Sequence, residues 1–432
     1  MTNTDPFALF EPALAKGQPL GLIQAHAEDD RLDGRTVTVD GRQLVNFGSS
    51  GYMALETHPE LTAAVIDAVM RYGTQFSSTR AYLSAPGYRQ AEDRLSEMFG
   101  RPTAIAASTS MANMSVITTL VKDEDVMLLD AQAHRSVQAA ATIARNQGVP
   151  AEVIPHGNLE VLGRKVKELS GRHRRVWFLG DGLYSMFGDI APFRELGELV
   201  ERHENLWLHI DDAHAVSWAG RHGRGHALER LSPAALERTV VTGSLNKSFG
   251  AAGGVMIFPT EALRNEVRTI GWPMMFSGPL QPPMLGAVLA STRLHLSDEI
   301  IERQRRVVGK IELFNAEAAR QGIPLVDASV TPIRYVAAGN TDSTIDLASR
   351  LQKVGFFTNT AIHPAVPTNR AGIRLSLTLH QTDDDIVNLV EALAANLPLS
   401  LQDNGFSTER LLRGFHRQFA GREITLREVG AW

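Results

Sequence analysis

From Thr103 onward, short apolar runs alternate with stretches of helical period. Ala104–Ala107, Val126–Leu129, Val176–Leu179, Leu206–Ile210 and Val240–Thr242 lack the polar alternation of a half-exposed strand. Met111–Leu120 and Ser136–Asn146, lying between them, read as helices. Strands buried on both faces and separated by helices predict an α/β fold, a mainly parallel sheet with helices on both sides. In open sheets of this kind ligands bind beyond the carboxyl ends of the strands. Residues that directly follow the apolar runs are therefore the candidates for chemistry.

The flanking regions read differently. Thr36–Phe47 alternates as a hairpin would, with Asp40-Gly41 as its turn. Thr57 with Glu60 forms a capping-box pattern before a helix whose apolar face is Leu61, Val65, Ala68, Val69 and Tyr72, ended by Gly73. A second amphipathic helix, Tyr88–Phe99, closes on Gly100, and the intervening residues 74–87 have no regular period. Glu299–Gln321 is a long charged helix. After it, strands near Ile333–Val336, Phe356–Thr358 and Ile373–Leu377, with helices near Asp346–Lys353 and Asp384–Leu397, make a smaller α+β unit. A chain of 432 residues exceeds one ordinary core. The expected division is an N-terminal arm (1–55), a large domain (56–300), a small domain (301–400) and a C-terminal extension (401–432).

The charge balance is 43 Lys+Arg against 48 Asp+Glu, a net charge of -5 with no basic block, which argues against a nucleic-acid partner. The absence of cysteine excludes a disulfide framework and fits a reducing compartment. Met1–Pro12 lacks the basic start and apolar core of a signal peptide, and no apolar run approaches the roughly 20 residues of a transmembrane helix. The expectation is a soluble, cytoplasmic protein.

The stretch Val240–Gly254 carries the strongest chemical signal. Lys247 is followed by small residues and glycines, unlike a solvated lysine. Burial disfavours an ammonium and makes a neutral, nucleophilic amine available; a strand-to-strand turn with glycines for tightness is the bland alternative. Asp211 ends the run Leu206–Ile210, where a ligand-facing acid belongs. A Schiff-base lysine with an aspartate for a pyridinium nitrogen is the pairing that pyridoxal phosphate needs. His209, Asp211 and His214 also have the ligand chemistry of a metal site, which leaves Lys247 unexplained.

Ser108-Thr109-Ser110 follows a strand and opens a helix, either an anion site or an ordinary cap. His134 begins another helix, as a cap or surface residue or a ligand contact. Ser185, in Asp181–Met186, and Ser277, in the apolar stretch Met274–Pro279, sit in loop positions open to either reading. Arg374 is a charge within an apolar strand, and its planar fork suits a carboxylate, from a substrate or from a structural Asp or Glu.

In order, these residues resemble the α-oxoamine synthase family: His134, Asp-Gly-x-x-Ser-Met at 181–186, Asp-Asp-x-His at 211–214 and Thr-Gly-Ser-x-x-Lys at 242–247. The likeness runs from about Asn46 to Leu397. It implies the fold type I of pyridoxal phosphate enzymes, with a large domain on a mainly parallel, seven-stranded-type sheet and a small C-terminal α+β domain. It implies decarboxylative condensation of an amino acid with an acyl-CoA, giving an α-amino ketone, in a homodimer with active sites at the subunit interface. By the same resemblance Lys247 holds the cofactor and moves the α-proton, Asp211 pairs with the pyridine nitrogen, and His214 bonds the phenolic oxygen. His134 stacks on the ring and Ser185 helps hold its substituents. Thr109, Ser110 and Ser244 take the phosphate, with Ser277 from the neighbouring subunit, and Arg374 binds the substrate carboxylate.

Ser50 stands where the family has an asparagine near that carboxylate, and Asn246 where glycine commonly precedes the lysine. Thr79 before Arg80 resembles the glycine-using branch. An aminotransferase or carbon–sulfur lyase is the rival within pyridoxal chemistry, and a silent partner subunit the rival outside catalysis.

Overall fold

The computed structural model describes residues 6–419. The first five residues of the expected arm, and residues 420–432 of the expected extension, lie outside the described residues. The chain forms two compact units. One comprises Met53–Tyr184 and Ile190–Gln304; the other comprises, among described residues, 6–52, 185–189 and 305–419.

The first unit is built on a seven-stranded sheet. Its strands are β1 (Thr103–Ala106), β2 (Val126–Asp130), β3 (Ala151–Ile154), β4 (Val176–Asp181), β5 (Leu206–Asp211), β6 (Thr239–Ser244) and β7 (Gly254–Ile257). The order is β1-β7-β6-β5-β4-β2-β3, with β7 antiparallel to both neighbours and the remaining pairs parallel.

Alternation along each strand sends side chains to two cores. Leu128, Phe178, Leu208, Ile210 and Val241 pack on one face, and Met127, Leu129, Trp177, Leu179 and Val240 on the other. Each fully buried Leu, Val or Phe contributes about 1.5–3 kcal/mol by leaving water. Helices Thr109–Leu120 and Arg135–Asn146 cover the Trp177 face through Ala112, Val116, Val137 and Ala140. The same alternation puts Asp181 and Asp211 on that face, directly opposite each other in register at the carboxyl ends of β4 and β5.

The helix at Pro59–Tyr72 is capped one residue later than its sequence pattern predicts: His58 Nδ1, not Thr57, accepts the Glu60 N–H at 3.2 Å. The expected strand over Phe356–Thr358 is two pieces in different sheets. Phe356–Phe357 extends the hairpin Thr36–Val39/Arg42–Asn46, and Asn359–Ala361 pairs with Ala371–Ser376, which also pairs with Ile333–Gly339. Among the described residues no helix is long and apolar enough to cross a membrane.

Candidate active site

β6 runs into the turn 245–250, and β7 brings the chain back beside it. Lys247 stands on this strand-to-strand turn, half-buried rather than enclosed. Its Nζ lies 2.8 Å from Nε2 of His214, three residues beyond the end of β5.

Asp211 is held from two sides. Its Oδ1 accepts the Ala213 N–H at 3.1 Å, and its Oδ2 accepts from Asn113 Nδ2 at 2.6 Å. Asn113, fully buried on the helix after β1, uses its whole amide. Its oxygen accepts from Thr242 Oγ1 at 2.6 Å and its second N–H goes to Ser136 Oγ at 2.8 Å. The Ser136 hydroxyl in turn lies 2.7 Å from His134 Nδ1, which also accepts the Ser136 N–H as the helix cap. One network therefore joins the buried acid at the end of β5 to the exposed imidazole at 134. Satisfied networks of this kind fix side chains in single orientations.

The charges agree with this layout. Burial holds the His134 ring below its usual range, with Asp211 pulling it back up and Lys247 pushing it further down. The Asp181 carboxyl is raised well above its usual range by burial and by the neighbouring Asp211, while its Oδ1 accepts the His134 N–H at 2.9 Å.

An anion cradle borders the lysine turn. Ser108 Oγ accepts the Met111 N–H at 3.2 Å, leaving the N–H groups of Thr109 and Ser110 without a partner among the described residues. Thr109 Oγ1 donates to Gly243 O at 3.3 Å, tying this helix start to the end of β6, where Ser244 Oγ accepts the Asn246 N–H. A Cβ on Gly254 would come within 2.6 Å of Thr109 N, so only glycine lets β7 pass so close. A buried carboxylate, unused N–H groups at a helix start and an amine beside an imidazole form a donor set that fits pyridoxal phosphate.

Ser50, Ser185 and Arg374 belong to the second unit, where Arg374 Nε donates to Ser185 O at 2.6 Å. Arg374 pairs with no carboxylate among the described residues; the Tyr52 hydroxyl, pushed up to about 12 by burial, lies within reach of its charge. Thr79 Oγ1 donates to Met275 O, and half-buried Ser277 follows two residues later. Among the described residues no group of three or more His, Asp or Glu side chains is placed to hold a metal ion. Sequence reasoning missed Asn113 as the partner of the acid, and Ser136 and Thr242 as the partners of Asn113. Their one signal is a polar residue on a helix or strand face that otherwise packs apolar.

Residues 42–393 match the sequence family described as aminotransferase class I and II. An 8-amino-7-oxononanoate synthase from Stutzerimonas stutzeri is 31% identical over 84% of this chain and 90% of its own length. A putative 8-amino-7-oxononanoate synthase from Caulobacter vibrioides is 30% identical over 91% of this chain and 98% of its own. Among solved structures, the Sphingomonas wittichii serine palmitoyltransferase superposes with a TM-score of 0.80 at 23% identity, covering 93% of this chain and 99% of that one. A serine palmitoyltransferase from S. paucimobilis with PLP bound gives 0.80 at 21% identity and the same coverage. The fold is that of these proteins.

Proposed function

The chain belongs to the α-oxoamine synthases within the class I and II aminotransferases, and from that premise we propose that it joins an amino acid to an acyl thioester, releasing carbon dioxide and free thiol to leave an α-amino ketone. It is a pyridoxal phosphate-dependent acyltransferase. The observation that carries the reading is the Lys247 amine 2.8 Å from the His214 imidazole, on a turn beside the strand that delivers Asp211.

Bound pyridoxal phosphate supplies an electron sink for a carbanion at the amino acid α-carbon. The chain's own groups do the rest. Lys247 would hold the cofactor until the amino acid displaces it, then take the α-proton and later return one. His214, hydrogen-bonded to that amine, would orient it and donate to the cofactor's phenolic oxygen. Asp211, fixed by Asn113, would keep a proton on the pyridine nitrogen, and His134 would cover the ring face with Ser185 at its substituents. Thr109, Ser110 and Ser244 would take the phosphate. For the substrate carboxylate the proposed holders are Arg374, Ser50 and Thr79. The reaction would join the amino acid α-carbon to the thioester carbonyl, with the thiol leaving and the resulting β-keto acid losing carbon dioxide.

We also propose a cytoplasmic homodimer in which Ser277 completes the phosphate site of the neighbouring subunit. Tyr82 (91% exposed), Phe276 and Met70 (81% each) give the first unit large apolar side chains to cover. The test is incubation of the cofactor-loaded protein with panels of amino acids and acyl-CoA thioesters, following thiol and carbon dioxide. Release of both supports the reading. Keto acid without thiol would mark an aminotransferase, and no thiol from any pair refutes the condensation.

A further inference from the structure

Ser217 is fully buried and has a φ of +85°, a region that residues with a Cβ rarely occupy. Such a backbone persists only where its surroundings over-determine it, and it gathers at functional positions. The bonds that hold it are explicit. Its N–H donates to Gly223 O at 2.7 Å and its carbonyl accepts from Gln304 Nε2 at 3.2 Å. Its hydroxyl lies 2.8 Å from His295 Nε2 and 3.1 Å from Ser248 O.

His295 ends the helix Pro282–His295 and is fully buried. Its Nδ1 lies 2.7 Å from Ser291 O, which can only accept, so Nδ1 carries the ring proton. Nε2 of the neutral ring is then an acceptor, and the Ser217 O–H serves it and, at longer range, Ser248 O. The His295 ring also stacks on Phe249 with centroids 4.6 Å apart, and Ser291 Oγ donates to Phe249 O at 2.6 Å.

Ser248 and Phe249 directly follow Lys247, and Ser217 follows His214 by three residues, with Trp218 Nε1 donating to His214 O at 2.6 Å. The contacts close a circuit. It runs from Lys247 Nζ to His214 Nε2, along the backbone to Ser217, across its hydroxyl to Ser248 O, and back to Lys247.

We propose that Ser217 and His295 are positioning residues whose clasp sets the distance between the Lys247 amine and the His214 imidazole. This rests on the reading of Lys247 as the amine that moves the α-proton. A glycine at 217 would take the positive φ without strain but would leave the two segments unbridged. The serine tolerates strain and supplies the bridge.

Two substitutions in the full-length chain separate strain from bridging. Ser217→Gly relieves the backbone and removes the hydroxyl, whereas Ser217→Ala removes the hydroxyl and keeps the strain. The readouts are the thermal midpoint of the cofactor-free chain, the pH titration of the bound cofactor's visible absorbance, and kcat and KM for thiol release.

Ser217→Gly is expected to keep or raise the thermal midpoint, to move the absorbance titration, and to lower kcat roughly 10- to 100-fold with KM little changed, as for a small misplacement of a reacting group. Ser217→Ala is expected to show the same kcat loss with a lower thermal midpoint. If Ser217→Gly keeps the wild-type kcat and titration, the hydroxyl positions nothing and the proposal fails. A lowered midpoint for Ser217→Gly also counts against it, since the loss would then report folding. A wild type that releases no thiol sinks the reaction instead, while the absorbance titration of Ser217→Gly still judges the clasp.

Discussion

Replacing His209 with leucine should make the protein resist acid. His209 lies in β5 two residues before Asp211, is fully buried, and has no hydrogen-bond partner on either ring nitrogen among the described residues. Burial lowers its pKa from 6.5 to about 4, against an opposing pull from Asp211. The folded pKa is the lower one, so the neutral ring's contribution is present above pH 6.5 and is lost as pH falls towards 4. Between pH 7 and pH 5 the linkage relation makes that loss about 2 kcal/mol.

His226 and His295, lowered by burial to about 3 and about 4, add losses of the same sign. Asp212 opposes them: burial raises it to about 7, so the folded chain keeps a proton that the unfolded chain releases, and acidification returns about 2 kcal/mol. Asp181, also raised by burial, acts in the same direction as Asp212, and His134, lowered by burial, in that of the other histidines, so the difference between variant and wild type isolates His209. His209→Leu removes one histidine and breaks no hydrogen bond, at nearly conserved volume. The variant should be no less stable at pH 7, because an unpaired buried polar group costs about 1–3 kcal/mol. Its acid loss should shrink by about 2 kcal/mol, or roughly 4–8 °C for a unit of this size class. Thermal midpoints of both proteins at pH 7 and pH 5 decide the matter. If the two lose the same number of degrees, His209 is not a buried neutral imidazole and the reasoning is wrong.

Other consequences are as direct. Asn113→Leu strands Asp211, Ser136 and Thr242 at once, and should cost about 3 kcal/mol in thermal stability and weaken cofactor affinity roughly 10- to 100-fold by fluorescence titration. Lys247→Ala should abolish the visible absorbance of the bound cofactor while circular dichroism stays unchanged; an unaltered spectrum would reassign the lysine. Glu92→Ala leaves the buried Arg80 guanidinium, now 2.8 Å from the Glu92 carboxylate, without its counter-charge, and should lower stability by about 3–5 kcal/mol in denaturant unfolding. Arg374→Lys loses the planar fork, one arm of which donates to Ser185 O, and should raise the amino-acid KM about tenfold with a smaller change in kcat.

What the sequence discloses and what it hides follow one physical rule. A feature is legible when the residues that create it are neighbours in the chain. The apolar runs of β2, β4 and β5 announce themselves because burial on both faces makes nearly every residue before the closing aspartate apolar, His209 being the exception. The edge strand β3 does not, because its outer side meets water and Val153 is 69% exposed. β7 hides behind the glycines that let it pass the helix start at Thr109.

The lysine turn is conspicuous for the small residues around it, but the restraints on the acid come from far away. Asn113 reaches Asp211 across 98 positions and Thr242 across 129, and nothing beside Asn113 marks it as their junction. Arg374 shows the same limit: its apolar strand correctly suggests a gripped guanidinium, yet the grip found is a backbone carbonyl 189 positions away. Ser217 is the extreme case. Its side chain has nothing unusual for a loop, and its positive φ arises only because Gly223, Gln304 and His295 converge on it from three later segments. Strain of this kind is set by long-range closure of the fold, so the residues most involved in aligning the amine with the imidazole are those that local pattern conceals.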